Sequence, residues 1–174
     1  MKKIDGGITA PKGFLAADTA AGIKYKDRRD MAMIFSEKPC RAAGTFTKNV
    51  VKAAPVKWDR EIVENGPFVQ AVVVNAGIAN ACTGEEGMSY CKETAEKAGE
   101  LLNIPEDAVL VASTGVIGMQ LPMDKISKGI EDMVPKLSHT RDAAHTASLA
   151  IMTTDTHEKE VAAEFEVDGV TCTI

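Results

Sequence analysis

The stretch Val69-Gln-Ala-Val-Val-Val74-Asn75-Ala-Gly77 decides the fold, because an apolar run ends there in a turn of small residues. Such a nearly apolar run is typical of a strand that is covered on both faces. The run Ala108-Val-Leu-Val111 has the same character and also leads into a glycine-containing turn. Between the two runs, apolar residues recur at spacings of three and four: Met88, Cys91, Ala95, Ala98 and Leu102. This spacing predicts a helix over 87–102 and therefore a strand–helix–strand unit.

The flanking segments extend this alternation of strands and helices. Apolar runs at 31–35 and around Phe46 predict two more strands. A second helix is predicted by Met123, Ile126, Ile130 and Met133, with Pro122 before them and Pro135 after them. The alanine-rich segment 141–152 predicts a third helix. We therefore expect an α/β fold in which layers of strands and helices are interleaved.

The last residues carry a hairpin pattern. Ala163-Glu-Phe-Glu-Val167 and Val170-Thr-Cys-Thr-Ile174 both alternate in polarity, and Asp168-Gly169 joins them as a tight turn. A natural domain seldom ends at the last residue of a pairing strand, so we interpret the chain as one piece of a longer polypeptide. The alternative is a strand that simply closes the domain.

Length and charge exclude several classes of protein. A chain of 174 residues is one domain's worth, 1–174, and its net charge of -5 disfavours binding to nucleic acid phosphates. The most apolar region, 68–81, is too short for the about 20 residues of a membrane span. Asp5-Gly6-Gly7 stands where a signal peptide would be apolar. We expect a cytoplasmic protein.

Cysteines and histidines show no spacing typical of a metal or redox site. Buried, reduced thiols are predicted for Cys40, Cys82, Cys91 and Cys172. Solvated side chains without a catalytic partner are predicted for His139, His145 and His157. We expect no metal and no cofactor, and we interpret Trp58 with its basic neighbours as a surface connector.

Two glycine-containing turns are candidates for a ligand site. The first, 75–84, enters the helix through Thr83-Gly-Glu-Glu86, which predicts a capping box. Cys82 lies in this turn, but no residue is placed to activate it as a nucleophile. The second, 109–118, lacks the glycine patterns of dinucleotide and phosphate loops. It places the Thr114 hydroxyl beside the Gly115 amide, the donors that an oxyanion hole needs. The first turn is equally compatible with a tight strand-to-helix connection.

Several runs, in order along the chain, resemble the α chain of the ornithine acetyltransferase family, the glutamate N-acetyltransferases of arginine biosynthesis. These runs are Asp5-Gly-Gly-Ile-Thr-Ala-Pro-Lys-Gly-Phe14, Ala42-Ala-Gly-Thr-Phe46-Thr47, Lys52-Ala-Ala-Pro55, 75–84, Ser113-Thr-Gly-Val-Ile-Gly118 with Leu121-Pro122, and Ile151-Met-Thr153-Thr154-Asp155-Thr156. One departure is Ile78, where a polar Asn is expected in the first turn.

The resemblance implies a layered sandwich fold that a β chain completes. Family precursors cut themselves at an Ala-Thr bond, and the freed Thr is the nucleophile of the β chain, so an α2β2 heterotetramer is expected. The family's oxyanion hole maps onto Thr114 and Gly115. Its substrate-contacting Thr maps onto Thr153, with Thr154 as the alternative. The nucleophile and a substrate Lys lie beyond Ile174.

The implied reaction is ping-pong transfer of an acetyl group from N2-acetyl-L-ornithine to L-glutamate, with a covalent acetyl-Thr intermediate. Some family members also accept acetyl-CoA, and the sequence leaves that open. Two other hypotheses remain: an amidase or aminopeptidase with an N-terminal nucleophile, and a binding module in which the turns hold an anion without covalent chemistry.

Overall fold

The computed structural model describes Met1–Ile174 and contains two β-sheets and four α-helices. The strands are β1 (Lys2–Ile4), β2 (Phe14–Thr19), β3 (Met31–Cys40), β4 (Val69–Ile78), β5 (Val109–Val116), β6 (Ala162–Val167) and β7 (Val170–Thr173). The helices are α1 (Ala54–Asn65), α2 (Glu86–Leu102), α3 (Met123–Met133) and α4 (Arg141–Ala150), with short 3-10 helices at Glu106–Ala108 and Val134–Lys136. None of the helices combines the length and the apolarity that a bilayer-spanning helix needs.

The larger sheet has the order β2-β3-β4-β5. Its first three strands pair antiparallel, whereas β4 and β5 pair parallel and are connected through α2. The smaller sheet is antiparallel, with the order β1-β6-β7. The interleaved strands and helices confirm the predicted α/β class, and the β6–β7 pair confirms the predicted hairpin.

The main core lies between the larger sheet and helices α2 and α3. Strand residues Met31, Met33, Val73, Val109 and Val111 pack there against helix residues that are also buried: Cys91, Ala95 and Ala98 of α2, and Ile126, Ile130 and Met133 of α3. These helix residues follow the spacing of three and four that predicted both helices. The predicted bounds 87–102 are confirmed within one residue, and the second helix is confirmed between Pro122 and Pro135.

The opposite face of the sheet is covered over β2 and β3, and Val74 of β4 packs at the margin of this cover. Ala16 and Ala32 pack there against Ala147 and Ala150 of α4. Over β4 and β5 this face is apolar but half-exposed, with the side chains of Val72, Val74, Leu110 and Ala112. The expectation that both strands are covered on both faces is therefore wrong for this chain. On β4 and β5 this face is an apolar surface that no second layer of the chain covers.

Helix α1 closes the free edge of β5. The indole Nε1 of Trp58 donates to the carbonyl of Val109 at 3.0 Å, and the N–H of Val111 donates to Oδ1 of Asp59 at 2.9 Å. Side chains thus take the place of a further strand and satisfy backbone groups that an edge leaves unpaired. Trp58 packs against the core, so its interpretation as a surface connector is wrong.

Three local predictions are also wrong. Residues 41–50 around Phe46 form no strand. The capping box does not form, because the residue that caps α2 is Glu85 and the Thr83 hydroxyl donates to the buried Asn80 side chain at 2.8 Å. The four thiols are free, but only Cys91 is buried, and Cys82 is exposed at a positive φ of 57°.

Candidate active site

The two glycine-containing turns form one site. Strands β4 and β5 run parallel, and their register places Ala76 opposite Thr114 and Gly77 opposite Gly115. Both turns therefore leave the sheet at the carboxyl ends of neighbouring strands, the edge where open α/β sheets bind ligands. The sequence motifs, which lie almost forty residues apart, meet because the strands pair in this register.

Close approach of the two backbones requires glycine at position 115. Gly115 has a φ of +137°, and a Cβ added there would lie 2.2 Å from the carbonyl carbon of Gly77. Gly77 itself has a φ of +108°. Such φ values strain residues with a side chain, and the overlap leaves no space for one. This packing fixes the position of the neighbouring Thr114.

Asn75 and Ser113 hold the ends of the two strands together. The Ser113 hydroxyl donates to Oδ1 of Asn75 at 2.6 Å, and Nδ2 of Asn75 donates to the carbonyl of Ile78 at 2.9 Å. Asn75 is buried, so these bonds are shielded from water. Ile78 contributes its backbone oxygen here and its apolar side chain to the main core, which explains how the turn accommodates its departure from a polar residue.

A cavity of about 360 Å³ opens beside Thr114 and Gly115. Its wall also includes Thr153 and Thr154, from the segment after α4, and part of the loop between β2 and β3. The structure thus brings together every residue that the sequence singled out for oxyanion and substrate contacts. Both Thr153 and Thr154 line the cavity, so the choice between them stays open.

The loop wall of this cavity carries charged groups. The Asp30 carboxylate is buried and accepts N–H donors from Ala21 at 2.7 Å and Ile23 at 2.6 Å. Nη2 of Arg28 donates to the carbonyl of Met152 at 2.5 Å, which ties the loop to the segment that carries Thr153. These residues were missed from the sequence, because a charged loop has no pattern that distinguishes a site from a solvated surface.

The cavity contains no nucleophile paired with a base of its own. No histidine or cysteine lines it. Of the residues considered from the sequence, Cys82 and His157 are exposed outside it, and His145 lies 3.1 Å from the carboxylate of Glu160. Nowhere in the chain do three His, Cys, Asp or Glu side chains meet in a way that could hold a metal ion. The cavity offers a hydroxyl and a backbone amide that could polarise a carbonyl group, and no hydrogen bond joins a hydroxyl in it to a base that would activate that hydroxyl for attack.

Comparison with known proteins decides the relationship. The model of the ArgJ family matches residues 15–174. This chain belongs to the ArgJ family. The arginine biosynthesis bifunctional protein ArgJ of Thermotoga neapolitana is 51% identical over 165 residues, which are 94% of this chain and 41% of that protein. The ArgJ protein of Caldanaerobacter subterraneus is 49% identical over 97% of this chain and 41% of its own length.

Solved ArgJ-family structures share the fold. The crystal structure of the bifunctional protein ArgJ of Bacillus halodurans superposes with a TM-score of 0.93 at 41% identity, over 99% of this chain and 89% of that chain. The structure of ornithine acetyltransferase of Mycobacterium tuberculosis complexed with ornithine gives a TM-score of 0.87 at 43% identity, over 91% of this chain and 84% of that chain. The resemblance to the ornithine acetyltransferase family is therefore confirmed, as is the fold class. This chain spans about two fifths of the length of the curated relatives it matches.

Proposed function

We propose that this chain is the α subunit of a cytoplasmic glutamate N-acetyltransferase of arginine biosynthesis. The enzyme moves an acetyl group from N2-acetyl-L-ornithine to L-glutamate. The observation that carries the proposal is the convergence of Thr114, Gly115 and Thr153 on one cavity, in which no hydroxyl is hydrogen-bonded to an activating base. The names of the ArgJ relatives and of the ornithine-complexed structure support the substrate class.

Thr114 and Gly115 act as the oxyanion hole in this proposal. A hydroxyl and a backbone amide that are held rigidly stabilise the negative charge that develops on the acetyl oxygen during attack. The overlap that excludes a side chain at Gly115 keeps these donors in place before the reaction. Thr153 lies on another wall of the same cavity and contacts the substrate, with Thr154 as the alternative.

The attacking group comes from the β chain. The hydroxyl of its N-terminal Thr, with the free amine as base, attacks the acetyl carbonyl and forms an ester as the bond to ornithine breaks. The proton from the hydroxyl goes to the leaving amine. Glutamate then attacks the ester through its amine, takes the acetyl group and restores the Thr. The oxyanion hole serves both steps.

Two observations support a β chain produced from the same precursor. The curated relatives are more than twice as long as this chain, whereas the crystallised chain of Bacillus halodurans is matched over 89% of its length and is only slightly longer. In addition, an apolar groove of about 900 Å³ lies between α4 and the larger sheet and includes Phe14, Ile34, Val74 and Ile151. A second layer from the β chain would cover this groove. We propose residues 1–174 as the α-chain domain of a self-cleaving precursor that assembles as α2β2.

The choice of acceptor tests the function against its rivals. The assembled complex is incubated with N2-acetylornithine carrying an isotope-labelled acetyl group, with and without glutamate, and products are separated by chromatography. Labelled N-acetylglutamate is the expected product. Release of labelled acetate at the same rate with or without glutamate would favour an amidase. Binding without any product would favour the anion-binding module.

A further inference from the structure

The loop between β2 and β3 places two positive side chains and one negative side chain at the candidate active site. Lys24, Arg28 and Asp30 are its charged residues at the cavity. Both oxygens of the buried Asp30 accept backbone N–H donors, so this carboxylate is occupied in holding the loop. The carbonyl of Asp30 also accepts the N–H of Ala76 at 2.8 Å, which attaches the loop to β4. The two cations are therefore presented from a firmly held loop.

Arg28 is occupied by structural contacts. Its Nη2 atom lies 2.5 Å from the carbonyl oxygen of Met152 and 3.4 Å from that of Thr153, and its guanidinium lies 5.8 Å from the centre of the Tyr25 ring. The side chain is half-buried. These contacts fix the segment that carries Thr153, so Arg28 has a positioning role.

Lys24 is the cation that remains available. Its residue is exposed at the cavity, its Nζ atom lies 5.0 Å from the centre of the Tyr25 ring, and it forms no ion pair. A Cβ added to Gly77 would lie 3.0 Å from the Cβ of Lys24. Gly77 in turn contacts Gly115. The Lys24 side chain therefore leaves the loop close to Thr114 and Gly115, the residues of the proposed oxyanion hole.

The substrates of the proposed reaction carry the group that such a cation recognises. N2-acetylornithine has a carboxylate on the carbon next to the acetylated nitrogen, and glutamate has one next to its reacting amine. An ammonium group near Thr114 and Gly115 can bind that carboxylate while the acetyl oxygen lies against Thr114. We propose that Lys24 is a specificity-determining residue that binds the α-carboxylate of the substrate; this inference rests on the proposed function.

The experiment compares two acetyl donors that differ only in the charge of the α-carboxylate. N2-acetylornithine and its carboxamide are tested as acetyl donors to glutamate with the assembled complex. The variants are Lys24→Met, which keeps the length of the side chain without its charge, and Lys24→Arg, which keeps a cation. Lys26→Met is the matched control, because Lys26 is an exposed lysine of the same loop that does not line the cavity. Circular dichroism and melting curves check that each variant is folded.

The expected result is that, of the two donors, only the charged one changes its KM, measured at saturating glutamate. Lys24→Met should raise the KM for N2-acetylornithine about 10- to 100-fold, as expected for the loss of a hydrogen bond to a charged group, with kcat changed severalfold at most. The kcat/KM for the carboxamide as donor should be unaffected, whereas the KM for glutamate should rise in Lys24→Met with either donor. Lys24→Arg should restore most of the affinity, and Lys26→Met should behave as the wild type. An equal loss with both donors, or no loss with either, would overturn the role of Lys24.

Failure of the proposed acetyl-transfer function can be distinguished from failure of the Lys24 contact. A wild-type complex that transfers no acetyl group to glutamate would overturn that function. Calorimetric titration with the same two compounds would then decide the role of Lys24. Preference of the wild type for the carboxylate, lost in Lys24→Met and kept in Lys26→Met, would support the carboxylate contact. Equal preference in the wild type and Lys24→Met would refute it.

Discussion

Replacing Asp59 with Asn should stabilise the protein at neutral and alkaline pH. Burial raises the pKa of the Asp59 carboxyl from 3.8 to about 6, against a smaller opposite effect of its hydrogen bond from Val111. No cation forms an ion pair with Asp59, so its negative charge is poorly solvated in the folded state. Asn keeps a carbonyl oxygen that can accept the same N–H of Val111, and it carries no charge. The substitution therefore removes the unfavourable burial of charge and keeps the closure of the β5 edge.

The sign of the pH dependence follows from the direction of this pKa shift. Since the folded protein has the higher pKa, it binds more protons than the unfolded chain between pH 3.8 and about 6. The free energy of unfolding contributed by Asp59 falls as pH rises through this window, and the full penalty is present above it. A rise of about two pKa units corresponds to about 3 kcal/mol. Because the side chain is only half-buried, solvent screening reduces the expected gain to about 1–2 kcal/mol.

Melting curves of the assembled complex at pH 8 and pH 4 measure this effect. Asp59→Asn should raise the Tm at pH 8 by about 2–8 °C for a domain of this size, and the difference should nearly vanish at pH 4. Asp59→Ala is the control: it leaves the Val111 N–H without an acceptor and should destabilise the protein at both pH values by about 1–3 kcal/mol. An Asn variant that is less stable than the wild type at pH 8, or equally shifted at both pH values, would refute the reasoning.

Other predictions concern the site and the thiols. Thr114→Ala removes one oxyanion donor and should lower kcat by about 10²–10³ with little change in KM, measured on complex whose self-cleavage has been verified. Thr153→Ala should act mainly on KM, and the reverse pattern would show that the two assignments are swapped. Iodoacetamide should label the exposed Cys82 and not Cys91, because burial, assisted by the charge of Asp59, raises the pKa of the Cys91 thiol to about 12. Cys82→Ser should keep turnover within severalfold of the wild type, and complete loss in a folded variant would contradict a threonine nucleophile.

Elements with a strong internal period were predictable from the sequence. Helices α2 and α3 have unbroken apolar spacings of three and four, and the Asp168-Gly169 turn identifies the hairpin. Helix α1 was missed although Pro55 stands in its first turn, because its charged residues resemble a solvated segment. Trp58 is partly buried because it packs at the unpaired edge of β5, a tertiary feature that no local pattern contains. The strand expected around Phe46 was wrong because its few apolar residues have no partner strand.

The candidate site was predictable only in part. The Thr114-Gly115 pair carries its own chemical signal, a hydroxyl beside an amide at the end of a buried strand. Thr153 has no such signal and was placed by resemblance alone, and its position in the same cavity depends on how α4 packs on the sheet. Lys24 was not recognised at all, because its significance comes from contact with Gly77 across the fold.

The mass of the reacting chains tests the central claim most directly. The assembled complex is mixed with N2-acetylornithine without glutamate, quenched in acid, and each chain is weighed by mass spectrometry. Covalent catalysis predicts one acetyl increment, about 42 Da, on the β chain, while the chain described here keeps its mass. An increment on this chain would place the nucleophile among its own residues. No increment on either chain, with turnover intact, would contradict the acyl-enzyme mechanism and favour direct transfer between bound substrates.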